Sequence, residues 1–295
     1  SRIRFERGAD PSFNAGRPPA ATPRLPPPMP DKPPPPNDFT DSKAAEAWLR
    51  TQPREVSVAL AARAALRTMP VLYPPPEDED DIFTNSVCLP FFCATSAALI
   101  TLVAERKSLI LSTRISNAAE FSFTGITTIS LVYAAALAAD IASGWVGLDP
   151  QIRFASDAAS SIGATASHAK SFVRVDPNAI HSCIHEIYLD ASIIDGENTP
   201  KLASMSLWSE GAPDWLSTRW NQMKSFLLAT DEGWEVWTDW YDARLRGDPV
   251  DVALETKRVI LPKRWDDGPA AVNAEIKAII EEHEANKRGS QGAER

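Results

Sequence analysis

The sequence predicts an all-α protein: a helical bundle with a Trp-rich C-terminal helical subdomain and an extended Pro-rich N-terminal arm. Three observations predict it. Apolar residues recur at helical spacing in segment after segment. Start signals such as Asp149-Pro150 and Asp176-Pro177 precede several of those segments. No run alternates apolar and polar residues for long enough to build a sheet. With 295 residues, 44% of them apolar, the chain can bury one large core or two modest ones.

Residues 1–39 form the arm. Residues 1–36 hold twelve of the 25 prolines, with runs at Pro26–Pro28 and Pro33–Pro36. Proline fixes φ, removes an N–H donor and disfavours helix in the residue before it, so the arm is predicted to be extended polyproline II or disordered. Its sizeable anchors include Phe13, Leu25 and Met29, and PRLPPPMP has the look of a Pro-rich docking ligand or a stiff tether. Residues 40–205 read as an Ala/Ser-rich bundle. Thr40-Asp41 can cap a helix over Ser42–Arg50, and a second helix is predicted over Arg54–Thr68, with Arg63 and Arg67 as its polar edge. Residues 77–81, EDEDD, read as a solvated acidic loop. Two long, nearly uncharged helices are expected over 87–106 and 115–142, another from Asp149 to about Val173, and one from Asp176 to about Ala191. Residues 206–295 form the Trp-rich part, since seven of the nine tryptophans lie from Trp208 to Trp265. Helices are predicted over 213–229, 232–246 and 249–257, then an extended piece Val259–Pro262, then a helix from after Asp267 to about Lys287.

Charge and composition narrow the function. A net charge of −9 with scattered basic residues does not suit nucleic acid or an anionic membrane surface. Three cysteines without framework spacing favour a reducing compartment, and the first residues carry no apolar signal-type stretch, so a cytoplasmic protein is expected. Residues 82–104 and 121–139 are uncharged and of membrane-spanning length. Each holds five Ser/Thr residues, which favours buried bundle helices over a membrane-associated hairpin.

The C-terminal pattern is specific. Trp234, Trp237, Trp240-Tyr241, Arg244-Leu245, Gly247 and Pro249 are followed by Leu254-Glu255, Arg258-Val259 and Leu261-Pro262. Trp265, Gly268-Pro269-Ala270 and Val272-Asn273-Ala274-Glu275-Ile276 complete it. This pattern, with the upstream AWLRTQPREVSVALAARAALR, resembles a family of uncharacterised bacterial proteins over most of residues 44–285. The middle of this chain is richer in Ser, Thr and Phe than is usual there. The resemblance implies no catalytic residues.

Within GWEVWTDWYDARLRGDP, Trp234, Trp237, Tyr241 and Leu245 share one helical face, and Val236, Trp240 and Ala243 extend the apolar arc. Aromatic residues at that spacing read as core rather than as a stacking platform. Arg244 falls inside the arc, so it must be paired or snorkel, with Glu255 and Arg258 as expected members of its polar cluster. The stripe Glu235, Asp239 and Asp242 mimics a metal or glycosidase pair but reads as a solvated face. His181 and His185, one turn apart, match zinc-ligand spacing. Glu186 is misplaced for a zinc-hydrolase motif, and His168, Asp190 or Glu197 would have to fold in as a third ligand. They therefore read as edge histidines that hydrogen-bond locally, with a metal-dependent hydrolase as the alternative. Ser167-x-x-Lys170 matches an acylating-serine pair without its companion motifs. No phosphate-cradling loop is present. No cofactor is expected. The expected role is a non-enzymatic scaffold, adaptor or assembly subunit, contacting a protein partner or a second copy through the arm.

Overall fold

A computed structural model describes residues 33–37, 39, 41–73, 80–103, 158–160, 179–194, 198–261 and 267–293. The described residues hold ten α-helices and no strand. They are α1 (Ser42–Leu49), α2 (Arg54–Thr68), α3 (Asp80–Phe83), α4 (Leu89–Val103), α5 (Ala179–Ile193), α6 (Thr199–Leu202), α7 (Asp214–Ala229), α8 (Glu235–Arg246), α9 (Val252–Val259) and α10 (Pro269–Ala293). The helix expected over 115–142 lies outside the described residues, as do arm residues 1–32 with Phe13, Leu25 and Met29, and the uncharged run 121–139. Of the helix expected from Asp149, Ala158–Ser160 are described, and they are helical.

α2 is the axis. Every residue from Val56 to Thr68 is buried, because alanines around the whole circumference let neighbours approach from all sides. α4 and α5 pack against it, and α9 packs on α4. Threonine hydroxyls inside these apolar helices are satisfied locally, Thr68 Oγ1 donating to Ala65 O at 3.0 Å and Thr95 Oγ1 to Phe91 O at 2.8 Å, while Ser96 Oγ donates to Glu255 Oε2 at 3.2 Å. That is how the Ser/Thr-rich run from Thr84 to Val103 reaches the interior. It is long and apolar enough to cross a membrane, yet its most apolar 18-residue window is 83% buried inside the protein, as in a core helix.

Asp80 and Asp81, expected in the acidic loop, already belong to α3. Between α3 and α4 the helix widens into a π turn, Thr84–Cys88, which ends two positions before Pro90. A proline there cannot donate to the carbonyl one turn back, and the wider turn relieves the crowding that its ring would cause.

The compact body begins at Pro33. Asp41 caps α1, accepting from Lys43 N and Ala44 N at 3.0 and 3.2 Å. Trp48 Nε1 donates to Pro33 O at 3.0 Å, and Phe39 is fully buried, edge to face with Trp48 at 5.8 Å.

The Trp-rich helices draw on the same core. Phe92 of α4 stacks on Trp237 (centroids 5.3 Å, 11° between planes) and meets Trp240 edge-on at 6.2 Å. Tyr241 donates its hydroxyl to Leu66 O of α2 at 2.8 Å. α8 ends at Gly247, at φ +76°, where a Cβ would stand 2.2 Å from Ser206 N. Both the backbone angle and the contact therefore demand glycine. α9 is a helix through Val259, so the expected extended piece does not begin there.

α10 is tied down by a side-chain clasp. Asp251, the N-cap of α9, accepts from Leu254 N at 3.1 Å, from His283 Nε2 at 2.9 Å and from Lys287 Nζ at 2.5 Å. Partial burial pushes the Asp251 carboxyl up, but the Lys287, His283 and Leu254 hydrogen bonds together outweigh it and hold the group below the usual carboxylate range. A depressed folded pKa contributes stability that is complete above the unfolded value, about 3.9, and is lost as pH falls through the folded one. The protection factors of the amides around residues 283–287, which remove the intrinsic pH dependence of exchange, should therefore fall as the pH is taken from 5 to below 3. Asp251→Asn should show fast exchange already at neutral pH.

Candidate functional site

A buried polar constellation is built from two pairs of charges, each pair one helical turn apart. Arg63 and Arg67 project from α2, and Glu186 and Asp190 from α5. Asp190 Oδ2 lies 2.8 Å from Arg63 Nε and 2.7 Å from Arg67 Nη2; Glu186 Oε2 stands 3.8 Å from Arg67 Nη2. The Arg67 contact with Asp190 is close but off the N–H axis, so it is an ion pair rather than an aligned hydrogen bond. Arg63 and Arg67 are 2% and 0% exposed. The expectation that they form a polar edge of α2 is therefore corrected: the helix has no solvent side, so its charges are interior.

These arginines hold the end of α6 at Leu202 and the irregular segment Ala203–Ser209 that follows it. Arg63 donates to Leu202 O, Met205 O and Ser206 O at 2.8, 3.0 and 2.7 Å, and Arg67 Nε to Leu207 O at 2.7 Å. Arg244 Nη1 donates to Ala203 O at 3.0 Å. At the far end, Ser209 donates its backbone N–H and its hydroxyl to Glu186, the latter at 2.7 Å. A partly buried loop must find partners for its carbonyls outside secondary structure, and here guanidinium forks supply them. Burial pushes the Arg63 guanidinium below its ordinary pKa, while Asp190 opposes the shift. With two cations and two carboxylates the cluster is formally neutral, the condition under which buried charges are tolerated. The change in composition near residue 205 runs through the middle of this segment.

Trp234, Trp237, Trp240 and Tyr241 are all buried, as the helical wheel predicts. Trp237 Nε1 donates to Asn273 Oδ1 at 2.9 Å and Trp240 Nε1 to Glu255 Oε2 at 3.1 Å. Arg258 lies 5.0 Å over the Trp237 ring, donates to Val236 O at 3.0 Å and stands 3.4 Å from Glu255. Glu255 and Arg258 thus pair with each other. Arg244 is buried, and Glu255 and Arg258 act on it electrostatically as members of one cluster, while its hydrogen bonds go to the carbonyls of Ala203 and Asp248, both at 3.0 Å. Burial pushes its guanidinium below the ordinary value. Arg244→Ala should then destabilise by roughly 1–3 kcal/mol, the range for buried acceptors left without a donor. That is less than an unpaired buried carboxylate would cost, and urea denaturation measures it.

The stripe on α8 is a surface feature. Lys277 pairs with Glu235 at 2.8 Å and Lys224 with Asp242 at 2.6 Å, while Trp220 Nε1 donates to Asp242 Oδ1 at 2.6 Å. It offers neither a metal site nor a carboxylate pair facing one substrate. Cys183 is buried, and burial pushes its thiol up to about 12, so it is no nucleophile at neutral pH. Burial likewise pushes up the thiols of Cys88 and Cys93.

His181 and His185 are exposed on α5, and neither imidazole hydrogen-bonds a described residue, so the expected local hydrogen bonds are absent there. With Ile184, Tyr188 and Asn37 they line an open groove of about 500 Å³. Asp190, one of the expected third ligands, is consumed by Arg63 and Arg67, and among the described residues no group of three or more His, Cys, Asp or Glu is placed to hold a metal. Ser167, His168, Lys170 and Glu197 lie outside the described residues.

Comparison with known proteins found no matching family model, no matching curated protein and no matching solved structure.

Proposed function

We propose that this chain is a non-enzymatic scaffold or adaptor of the cytoplasm that acts through protein–protein contacts, with the Pro-rich arm as its docking element. The observation that carries the reading is the fixed root of the arm. Pro33 is held by the indole of Trp48, and Phe39 is sunk in the core beside that ring. A polyproline segment continuing from such a root is stiff and poor in donors of its own, and it loses little entropy when a neighbour's groove receives it. Phe13, Leu25 and Met29 are its apolar anchors for that groove. The arginine-held segment and the aromatic hub have a complementary part, which is to keep the body rigid behind the arm.

The test is a chain that starts at Pro33, so that Phe39 and its packing are kept. Its helical circular dichroism and melting temperature should match those of the full chain within about 2 °C, while self-association by light scattering, or capture of a purified partner, weakens at least tenfold. Equal association by both chains would overturn the reading. A collapsed melting temperature would make the arm an intramolecular strap instead.

A further inference from the structure

We propose that His181 and His185 form a two-imidazole surface chelate for a divalent transition-metal ion of the Cu²⁺, Ni²⁺ and Zn²⁺ type, on the groove face of α5. Four observations carry it. The residues are one turn apart, which brings their Cβ atoms to about 5–6 Å and lets both rings reach one ion. Both side chains are exposed, so an ion reaches them without any opening of the fold. Their ring nitrogens are not engaged by a described residue, whereas His283 is committed to Asp251 at 2.9 Å. Finally, they face a groove of about 500 Å³ that Asn37 and Tyr188 also line, with room for the ion, its waters and an amide oxygen from Asn37.

The donor set selects the metal. Imidazole suits Cu²⁺, Ni²⁺ and Zn²⁺, while Ca²⁺ and Mg²⁺ favour sets of oxygen ligands rich in carboxylates, and no described carboxylate lines the groove. Within the imidazole-preferring ions the intrinsic order places Cu²⁺ first. Two protein nitrogens leave the remaining positions to water, so the site is labile and exchangeable, unlike a closed four-ligand structural zinc site. The chelate is independent of the adaptor reading, and the helical scaffold stands without the ion.

The experiment is a titration of the full chain, prepared without a histidine tag, with Cu²⁺ as the chloride. Calorimetry follows uptake and electron paramagnetic resonance reports the ligands. The wild type should take up one saturable equivalent with nitrogen hyperfine structure. His181→Gln and His185→Gln should each weaken it by about tenfold or more, because the second imidazole binds intramolecularly once the first is engaged. His283→Gln should leave it unchanged. Both replaced side chains are solvent-facing, and the circular dichroism of each variant checks that the fold is retained. No saturable equivalent in the wild type would overturn the proposal. So would equal uptake by a His181→Gln/His185→Gln double variant, or loss of the signal in His283→Gln alone.

Discussion

Asp190→Ala is expected to destabilise the fold by roughly 3–5 kcal/mol, the range found when one member of a buried ion pair is removed. Its carboxylate is 2.8 Å from Arg63 Nε and 2.7 Å from Arg67 Nη2, and the three side chains are 5%, 3% and 0% exposed. Truncation leaves two guanidinium groups in the interior, facing only Glu186, 3.8 Å from Arg67. A guanidinium cannot shed its proton to escape the cost. The loop carbonyls that it also serves are dipoles, which orient the fork without neutralising it. Against a typical domain stability of about 5–15 kcal/mol, the loss is large enough to show as a clear fall in urea midpoint. The mechanism has a signature of its own. Arg67→Met on the Asp190→Ala background leaves one cation, Arg63, with one carboxylate, Glu186. The double variant should therefore be less destabilised than the two single effects added together. Strict additivity, or a midpoint for Asp190→Ala within error of the wild type, would show that the charges are solvated and the network energetically idle.

Much of the fold was legible because helical periodicity, Asp caps and the Trp arc are local signals. Asp41 caps α1, Trp234, Trp237 and Tyr241 are core, and Arg244 is interior, all as a helical wheel read. The four-charge cluster is legible in principle. VALAARAALR, Val58 to Arg67, is apolar around its whole circumference apart from Arg63 and Arg67, so a buried helix had to bury those charges as well. The answering pair, Glu186 and Asp190, shows the same one-turn spacing among the isoleucines of α5. What no local pattern supplies is the identity of long-range partners. Arg63 meets Asp190, 127 positions away, and Arg244 meets a carbonyl in a segment of irregular backbone 41 positions upstream. Backbone acceptors carry no side-chain signature, so the carbonyls that Arg244 bonds could not be named beside the cluster with Glu255 and Arg258. The groove at His181 and His185 depends on Asn37, which the sequence places at the root of the arm and only the fold brings beside α5.

Trp237→Ala should cost about 3–5 kcal/mol, the range for emptying a buried indole site. The ring is fully buried, stacked on Phe92 at 5.3 Å and met edge-on by Trp240 at 5.9 Å. Three losses compound. The cavity cannot close readily, because α4, α8 and α10 are held in place around it by further contacts. Asn273 Oδ1 loses its 2.9 Å donor, although its Nδ2 still donates to Glu232 O at 3.0 Å. Arg258 loses the aromatic face beneath its guanidinium, which weakens the Arg258–Glu255 pair that joins α9 to the indole of Trp240. Trp237→Phe separates these contributions. It keeps most of the stack and the cation–π face but removes the N–H, so it should cost about 1–3 kcal/mol, as for a buried acceptor left unpaired. Thermal and urea unfolding of both variants decide between a core and a ligand platform. A platform tryptophan can be truncated with little change in stability and a large loss of binding. A core tryptophan gives the opposite ranking, with Ala well below Phe and Phe below the wild type. A melting temperature for Trp237→Ala within error of the wild type would place the ring at the surface and reopen the stretch from Gly233 to Pro249 as a binding face.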